Sequence, residues 1–273
     1  KKDTSLLHHL IGSRSLVWNL AKNDIKKKFA GSYFGVVWAF VQPVITVLLY
    51  WFVFEKGLNS KATDLRTGIE IPFVLWLTAG LVPWFYFQEA LNGGTGVLVE
   101  YSYLVKKVVF QIDMLPVVKM ISVLFTHLFF VAFTIVLFIC MGYMPDWYAL
   151  QVVYYSFCMI LFATGLVYAT SAVTVFFRDM KEVVGILLQI GMWVTPIMWN
   201  FETMVQIPGW AIAVLKLNPM YYIVSGYRNA LINHSGFWED MGITVYFWVV
   251  TAVILFLGTT VFKRLRPHFA DVL

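Results

Sequence analysis

The stretch VFFRDMKEVVGI, residues Val175–Ile186, places Arg178, Asp179, Lys181 and Glu182 between two long apolar segments. Charged side chains are expensive inside the hydrocarbon core of a membrane, so they persist at the water boundary or where they have a function. The stretch therefore predicts a short polar turn at a membrane surface, with a membrane-spanning helix on each side.

The composition of the whole chain supports a membrane location. Of its 273 residues, 60% are hydrophobic and only 13% are charged, and the mean hydropathy is +0.76. A soluble domain carries about 25% charged residues. The net charge of +5 would suggest nucleic-acid binding in a soluble protein. Because membrane proteins concentrate Lys and Arg in cytoplasmic loops, we expect membrane lipids and no nucleic acid as partners.

Six apolar runs are long enough to cross a bilayer, which takes about 20 helical residues. They cover residues 34–54, 72–91, 115–141, 149–177, 183–200 and 242–262. We therefore predict an all-α fold with a cytoplasmic N-terminal segment (1–33), a six-span transmembrane domain (34–262) and a cytoplasmic tail (263–273). The segment 207–232 is too short and too polar to span, which favours a re-entrant helix pair before span six.

Lys and Arg residues give the expected orientation. They are concentrated in residues 1–33, in the loop between spans two and three, in the turn at 178–182 and in the tail. With six spans, these segments lie on one side of the membrane. The positive-inside rule then places both termini in the cytoplasm of a multi-pass plasma-membrane protein.

Two cytoplasmic segments have helical patterns of their own. The first, SLVWNLAKNDIKKKFA (15–30), predicts an amphipathic helix at the membrane interface, with an apolar face formed by Leu16, Val17, Leu20, Ala21, Ile25 and Phe29. We expect it to serve as a membrane anchor, as a platform for a cytoplasmic partner, or as a cationic patch for an anionic lipid headgroup. The second, LVEYSYLVKKVVFQIDMLP (98–116), is too polar to span and too apolar to be a solvated loop. A helix that docks into a partner's groove has this pattern, although a simple interfacial helix has it too.

No enzyme motif is recognisable in the chain. The five histidines lack metal-binding spacing, and the glycine-rich NGGTG (92–96) lacks the order of a phosphate-binding loop, so we interpret it as a flexible end of span two. Cys140 and Cys158 lie in apolar runs and predict neither a disulfide nor a metal site. A membrane-embedded enzyme acting on polyprenyl-linked sugars stays an alternative, but its catalytic acid or metal cluster is not found.

Aromatic residues are numerous, with 24 Phe, 14 Tyr and 11 Trp. Many belong in belts at the two membrane interfaces. Rings that line a path through the protein could instead let sugar faces slide past with weak, repeated contacts. Our candidates for such a translocation path are Trp38, Tyr154, Tyr168 and Trp193. The alternative for each is a ring that faces lipid or packs between helices.

Three segments together resemble a known family. They are DIKKKFAGSYFGVVWAFVQPVITVLLYWFVF (24–54), VFFRDMKEVVGILLQIGMWVTPIMW (175–199) and LNPMYYIVSGYRNALI (217–232). Their FRD turn, downstream TP, and NP followed by YR resemble the ABC-2 permeases (type V exporters) that export bacterial polysaccharides. YWFVF at 50–54 and the extended FRDMKE turn are most similar to the permeases of teichoic acid translocation.

The resemblance implies an ABC transporter in the bacterial plasma membrane. Two permease copies would form a homodimeric channel, and each would bind one copy of a separate ATPase subunit. ATP and Mg²⁺ would be bound by that subunit, so this chain would hold no cofactor. The cargo would be a glycopolymer on a polyprenyl diphosphate, with teichoic acid preferred. The alternatives are O-antigen, capsular polysaccharide, a lipid or a drug.

The resemblance also implies roles for particular residues. The loop 98–116 would be the coupling helix, and the segment 207–232 would line the exit. The residues at the ATPase boundary would be Glu100, Tyr101, Tyr103, Lys106, Lys107, Arg178, Asp179, Lys181 and Glu182. We expect the last four to pair with one another or with the N-terminal helix; a plain turn is the alternative. Lys26, Lys27 and Lys28 would contact the diphosphate at the substrate entrance, although topology alone also explains them.

Overall fold

The computed structural model describes residues 14–64, 67–105, 112–199 and 208–273. These ranges are mostly helical, as the composition predicts. The helices are, in chain order, α1 (Arg14–Lys28), α2 (Trp38–Trp51), α3 (Phe73–Thr95), α4 (Val97–Glu100), α5 (Ser102–Val105), α6 (Met114–Cys140), α7 (Gln151–Phe176), α8 (Met180–Val194), α9 (Gly209–Lys216), α10 (Pro219–Arg228), α11 (Met241–Leu265) and α12 (Phe269–Val272). Short 3₁₀ or π turns extend α2, α7, α10 and α11.

Four helical segments of the described ranges are long and apolar enough to cross a membrane. They are Gly35–Gly57, Met114–Cys140, Trp147–Phe176 and Met241–Val272, which correspond to the predicted spans one, three, four and six. Predicted spans two and five correspond to α3 and α8, which are outside this set. α3 carries polar Gln88 and Glu89 near its end, and α8 has only 15 residues. The chain is therefore a mostly helical, multi-pass membrane protein, and the number six stays a prediction.

α3 occupies the centre of the bundle. It packs against α6, α7, α8 and α10, and most of its side chains are buried, including Trp84 and Tyr86. A helix surrounded by protein does not need a uniformly apolar surface. This position explains how α3 can contain the polar side chains of Gln88 and Glu89, which a lipid-facing helix would exclude.

Glycines bring α7 and α11 close together. The Gly258 Cα faces the backbone of α7 so closely that a Cβ there would lie 2.0 Å from the Gly165 carbonyl oxygen. Small residues at such crossings allow the dense backbone packing that holds membrane helices together. The α7–α11 pair is thus specified by two glycines almost a hundred positions apart.

A two-stranded antiparallel sheet interrupts the otherwise helical chain. β1 (Ala62–Thr63) pairs with β2 (Glu70–Ile71) in the loop before α3, and Gly68 adopts a positive φ of 70° between them. The all-α prediction is wrong for this short hairpin. Its pairing is too short for an alternating pattern to be visible in the sequence.

Two element boundaries differ from the predicted ones. The loop 98–116 is not one helix, because the backbone leaves helical geometry at Tyr101 (φ −103°, ψ 28°) between α4 and α5. Predicted span five ends earlier than expected, since Thr195 is extended (φ −76°, ψ 126°) ahead of Pro196. The residue before a proline is disfavoured in the helical region. The segment predicted as a re-entrant pair contains two helices in succession, α9 and α10.

Candidate functional site

The carboxylate of Asp24 joins three segments at one end of the bundle. Asp24, on α1, is 3% exposed. Its Oδ2 lies 3.0 Å from the Lys119 Nζ of α6 and accepts a hydrogen bond of 2.7 Å from the Ser122 hydroxyl. Its Oδ1 accepts a hydrogen bond of 2.8 Å from the hydroxyl of Tyr101, which follows α4. We call Asp24, Tyr101, Lys119 and Ser122 the Asp24 cluster.

The electrostatics of the Asp24 cluster favour a charged aspartate. Burial by itself raises the pKa of Asp24, but the charge of Lys119 and the hydrogen bonds from Ser122, Tyr101 and Lys119 together lower it below its usual value. Burial and, second, the hydrogen bond to Asp24 raise the pKa of Tyr101. Its hydroxyl therefore stays protonated and acts as the hydrogen-bond donor to Asp24. Removal of either charged partner would leave the other as an unpaired charge in the protein interior, which is costly. The ion pair and its hydrogen bonds therefore hold the members of the cluster in place.

The packing of α1 explains how Asp24 reaches this position. Val17 and Ala21 are buried against Met114 and Val118 of α6, and Asp24 continues the same stripe one turn further. Trp18 and Leu16 are instead 46% and 45% exposed. The face of α1 that contacts the protein is therefore narrower than the apolar face that the sequence predicted, and it ends in an acid.

The three lysines predicted at the substrate entrance follow Asp24 directly. Lys27 Nζ lies 3.5 Å from a Glu100 carboxylate oxygen and 4.6 Å from the centre of the Tyr101 ring. Lys28 forms an ion pair with Glu89 of α3. Lys26 is exposed and has no ion-pair partner in the described parts of the chain. Two of the three ammonium groups thus already have carboxylate partners.

The predicted coupling residues are divided between the Asp24 cluster and the surface. Tyr101 is buried in the cluster, and Glu100 lies beside it, 3.9 Å from Lys119 Nζ. Tyr103 is 56% exposed. Lys106 and Lys107 lie outside the described residues. The loop therefore presents an exposed aromatic side chain next to an anchored one.

The turn at 178–182 keeps its charges exposed. Arg178, Asp179, Lys181 and Glu182 are all exposed, and none of them forms an ion pair within 4.0 Å in the ranges that the structure describes. The pairing expected among them, or with α1, is not found there. Lys181 instead lies over the start of α4, where a Cβ on Gly96 would be 2.5 Å from the Lys181 Cε.

The glycine-rich segment 92–96 is packed rather than flexible. A Cβ on Gly93 would be 2.4 Å from Lys119 Cε, and one on Gly94 would be 2.6 Å from Val167 Cγ1. These two glycines leave room for the Lys119 side chain of α6 and the Val167 side chain of α7. The interpretation of NGGTG as a flexible end of span two is wrong.

The aromatic candidates for the translocation path divide into two pairs. Tyr168 is buried and donates a hydrogen bond of 2.8 Å to the Asp113 carbonyl, and the half-buried Tyr154 hydroxyl accepts one of 3.0 Å from Trp248 Nε1. Trp38 and Trp193 are 38% and 59% exposed on α2 and α8. The tyrosines take part in helix packing, whereas the tryptophans are open to the surroundings.

The TP, NP and YR motifs meet at the opposite end of α8. The Asn218 side chain donates a hydrogen bond of 2.7 Å to the Thr195 hydroxyl. Arg228 is buried, donates to the carbonyls of Pro196 (2.6 Å) and Ile197 (2.7 Å), and stacks 3.3 Å from the centre of the Trp76 ring. The sequence identified Arg228 only as the arginine of the YR motif. Its burial depends on Trp76 and Gly80 of α3, which are distant in sequence and come next to Arg228 only in the folded chain.

Comparison with known proteins extends over most of the chain. Residues 15–232 match the ABC-2 type transporter family. The O-antigen export system permease protein RfbA of Myxococcus xanthus is 25% identical over 266 residues, which cover 97% of this chain and 98% of that protein. Two proteins of the same name from Klebsiella pneumoniae are 20% and 21% identical, and each comparison covers 93% of both chains. The chain therefore belongs to the ABC-2 type transporter family.

Proposed function

We propose that this chain is the permease subunit of an ATP-driven exporter that moves a polysaccharide, attached to polyprenyl diphosphate, from the cytoplasmic face of the membrane to the outside. The observation that carries the proposal is the similarity to the O-antigen export permeases, which extends over 93–98% of their length. A likeness of that extent leaves no large part of either chain unmatched.

The names of the relatives favour an O-antigen type of polysaccharide as the cargo. The teichoic acid prediction rests on two short segments, YWFVF (50–54) and the FRDMKE turn (177–182). We therefore place O-antigen first and teichoic acid second among the lipid-linked polymers. An exporter of a lipid or a drug would need no long polymer for stimulation, which separates it from both.

The proposed topology has six spans, with α3 and α8 as spans two and five and both termini in the cytoplasm of a bacterium. In this arrangement α1, the Asp24 cluster and the turn at 178–182 lie on the cytoplasmic side. The exposed charges of that turn and the exposed ring of Tyr103 then face a soluble partner. This is the surface that we propose for binding the ATPase subunit. In the proposal, ATP and Mg²⁺ are bound by that subunit, and this chain contributes no catalytic residue.

A homodimer is part of the same proposal. α8 exposes a continuous apolar face that includes Ile186, Leu187, Ile190 and Trp193, with exposures of 53–61%. A second copy of the chain would cover such a face in the membrane, and two ATPase subunits would serve the pair. The Asp24 cluster would transmit their motion, because it ties α1, the coupling loop and α6 into one unit.

Purification from the native membrane tests this proposal. We expect the tagged protein to retain an ATPase subunit in equal amount, and we expect the hydrolysis rate to rise when lipid-linked polysaccharide is added. Sugar-free polyprenyl diphosphate and a hydrophobic drug serve as controls. A protein that is purified alone, or an ATPase stimulated by the drug and not by the polymer, would contradict the proposal.

A further inference from the structure

A cavity of about 510 Å³ lies beside the Asp24 cluster, between α1, α2, α3 and α6. Its volume falls within the range of about 300–1,000 Å³ that is typical of small-molecule sites. Its walls come from the last turn of α1, from Gln42 on α2, from the C-terminal half of α3 and from the first turns of α6. Of the predicted coupling, entrance and path residues that the structure describes, Lys28 and Glu100 line this cavity.

The charges around the cavity oppose an anionic ligand. Its carboxylates are Asp24, Glu89 and Glu100, and its ammonium groups are Lys28 and Lys119. Both lysines already form ion pairs with carboxylates that line the same cavity, Lys28 with Glu89 and Lys119 with Asp24. A diphosphate is an acceptor of hydrogen bonds and carries negative charge, so it would have to displace these carboxylates and then lie beside them.

The uncharged polar groups of the cavity point to a different ligand. The carboxamides of Gln42, Gln88 and Asn92 line it, and within the described residues none of them has a hydrogen-bond partner. A carboxamide offers both N–H donors and a carbonyl acceptor, which match the hydroxyl groups of a sugar. Phe29 and Phe85 add apolar walls suited to the C–H face of a sugar ring.

We infer that this cavity binds a neutral sugar of the lipid-linked cargo, and that Gln88 and Asn92 are the groups that select it. The diphosphate would stay at the rim, near the exposed Lys26. This inference rests on the proposed function, and it makes sugar recognition rather than phosphate recognition the selective step at the cytoplasmic face.

Equilibrium binding of two probes to the full-length protein in nanodiscs tests the inference. The probes are a polyprenyl diphosphate that carries one sugar and the same lipid without the sugar. We expect the sugar-bearing probe to bind about tenfold more tightly, as two added hydrogen bonds would give. The Gln88→Leu/Asn92→Leu variant should lose that preference and keep its affinity for the sugar-free lipid. Gln189→Leu, an exposed glutamine of α8 outside the cavity, is the matched control and should behave like the unmodified protein.

Other outcomes would overturn the inference. Equal affinity of the unmodified protein for both probes would show that no sugar is recognised, and equal weakening of both probes by the double variant would show that the site holds the lipid or its phosphates. Should the double variant fail to fold, Asn92→Ala changes one exposed side chain and gives the same comparison. An export assay on the same preparation keeps the two proposals distinct: export without sugar preference overturns only this inference, whereas no export of any polymer overturns the proposed function.

Discussion

At the scale of single residues, Asp24 holds together the end of the bundle where α1 packs against α6. Its four polar contacts come from Tyr101, Ser122 and Lys119, which lie 77 to 98 positions further along the chain. Removal of one partner of such a buried ion pair strongly destabilises the folded protein, because the remaining charge then lies in the interior without an opposite charge.

We expect Asp24→Asn to lower the free energy of unfolding by about 3 kcal/mol, since among the described residues Lys119 then keeps only the more distant Glu100 as an ion-pair partner. Thermal unfolding in detergent measures the change. Asp24→Asn combined with Lys119→Met removes both charges and should recover part of the loss. Asp179→Asn, an exposed aspartate without an ion pair in the described ranges, is the control. Equal stability of the Asp24 and Asp179 variants would show that the cluster contributes little.

The stability that Asp24 provides has a defined pH dependence. Because folding lowers the pKa of Asp24, its contribution is fully present above the pKa of an unfolded aspartate, about 3.9, and is lost as the pH falls through the lower folded value. The difference in melting temperature between the unmodified protein and Asp24→Asn should therefore be constant from about pH 8 to about pH 5 and shrink only below about pH 4. A difference that already shrinks between pH 7 and pH 5 would contradict a lowered pKa.

The sequence could not reveal the Asp24 cluster. In the pattern of residues 15–30, Asp24 lies among lysines and adjoins the polar face, so local periodicity predicts an exposed side chain. Its burial depends on Lys119 and Tyr101, and such non-local pairing is invisible in one sequence. Glu100 and Tyr101 were identified through family resemblance, which named the loop but not the contact with Asp24.

At the scale of elements, helix existence was predictable because apolar length is a local property. The predicted third span, 115–141, matches α6 at Met114–Cys140 almost residue for residue. The sequence did not distinguish the six predicted spans by burial or length, however. In the structure, α3 is buried at the centre of the bundle, and α8 is short and exposed. That distinction depends on which helices surround each other, and apolar length does not contain it.

Glycine packing gives a test of the arrangement of α7 and α11. Gly258→Ala places a Cβ 2.0 Å from a backbone oxygen that has little freedom to move, so we expect a loss of about 1–3 kcal/mol or more in stability. Gly185→Ala, on α8, meets no atom within 4 Å and should stabilise the helix by up to about 1 kcal/mol. Melting temperatures of the two variants provide the measurement. A harmless Gly258→Ala would contradict the close packing.

The turn at 178–182 is an element without internal ion pairs, which makes its charges available to a partner. We expect Arg178→Ala to leave expression and basal ATP hydrolysis intact and to reduce the polymer exported per ATP by about tenfold, the effect of one lost charge-assisted contact. Parallel assays of hydrolysis and export measure this ratio. Arg264→Ala, another exposed arginine, is the matched control. Unchanged export in the Arg178 variant would remove the turn from the coupling surface.

At the scale of the whole molecule, the sequence motifs are grouped at the two ends of the helix bundle. The Asp24 cluster, the packed glycines at 93–96 and the turn at 178–182 lie at one end of the bundle. Arg228, Asn218 and the Thr195–Pro196 turn lie at the other, and α8 connects the two. Membership of the ABC-2 type transporter family was predictable from the motif order, whereas the contacts among the motifs required the assembled structure.

The most direct measurement is export by the protein reconstituted with its ATPase subunit into proteoliposomes. We predict that polyprenyl-diphosphate-linked polysaccharide crosses the membrane only with ATP, that a hydrolysis-deficient ATPase abolishes its movement, and that the amount exported follows the number of assembled complexes. Continued ATP hydrolysis with the polymer retained on its starting side, in complexes shown to be intact, would contradict the account.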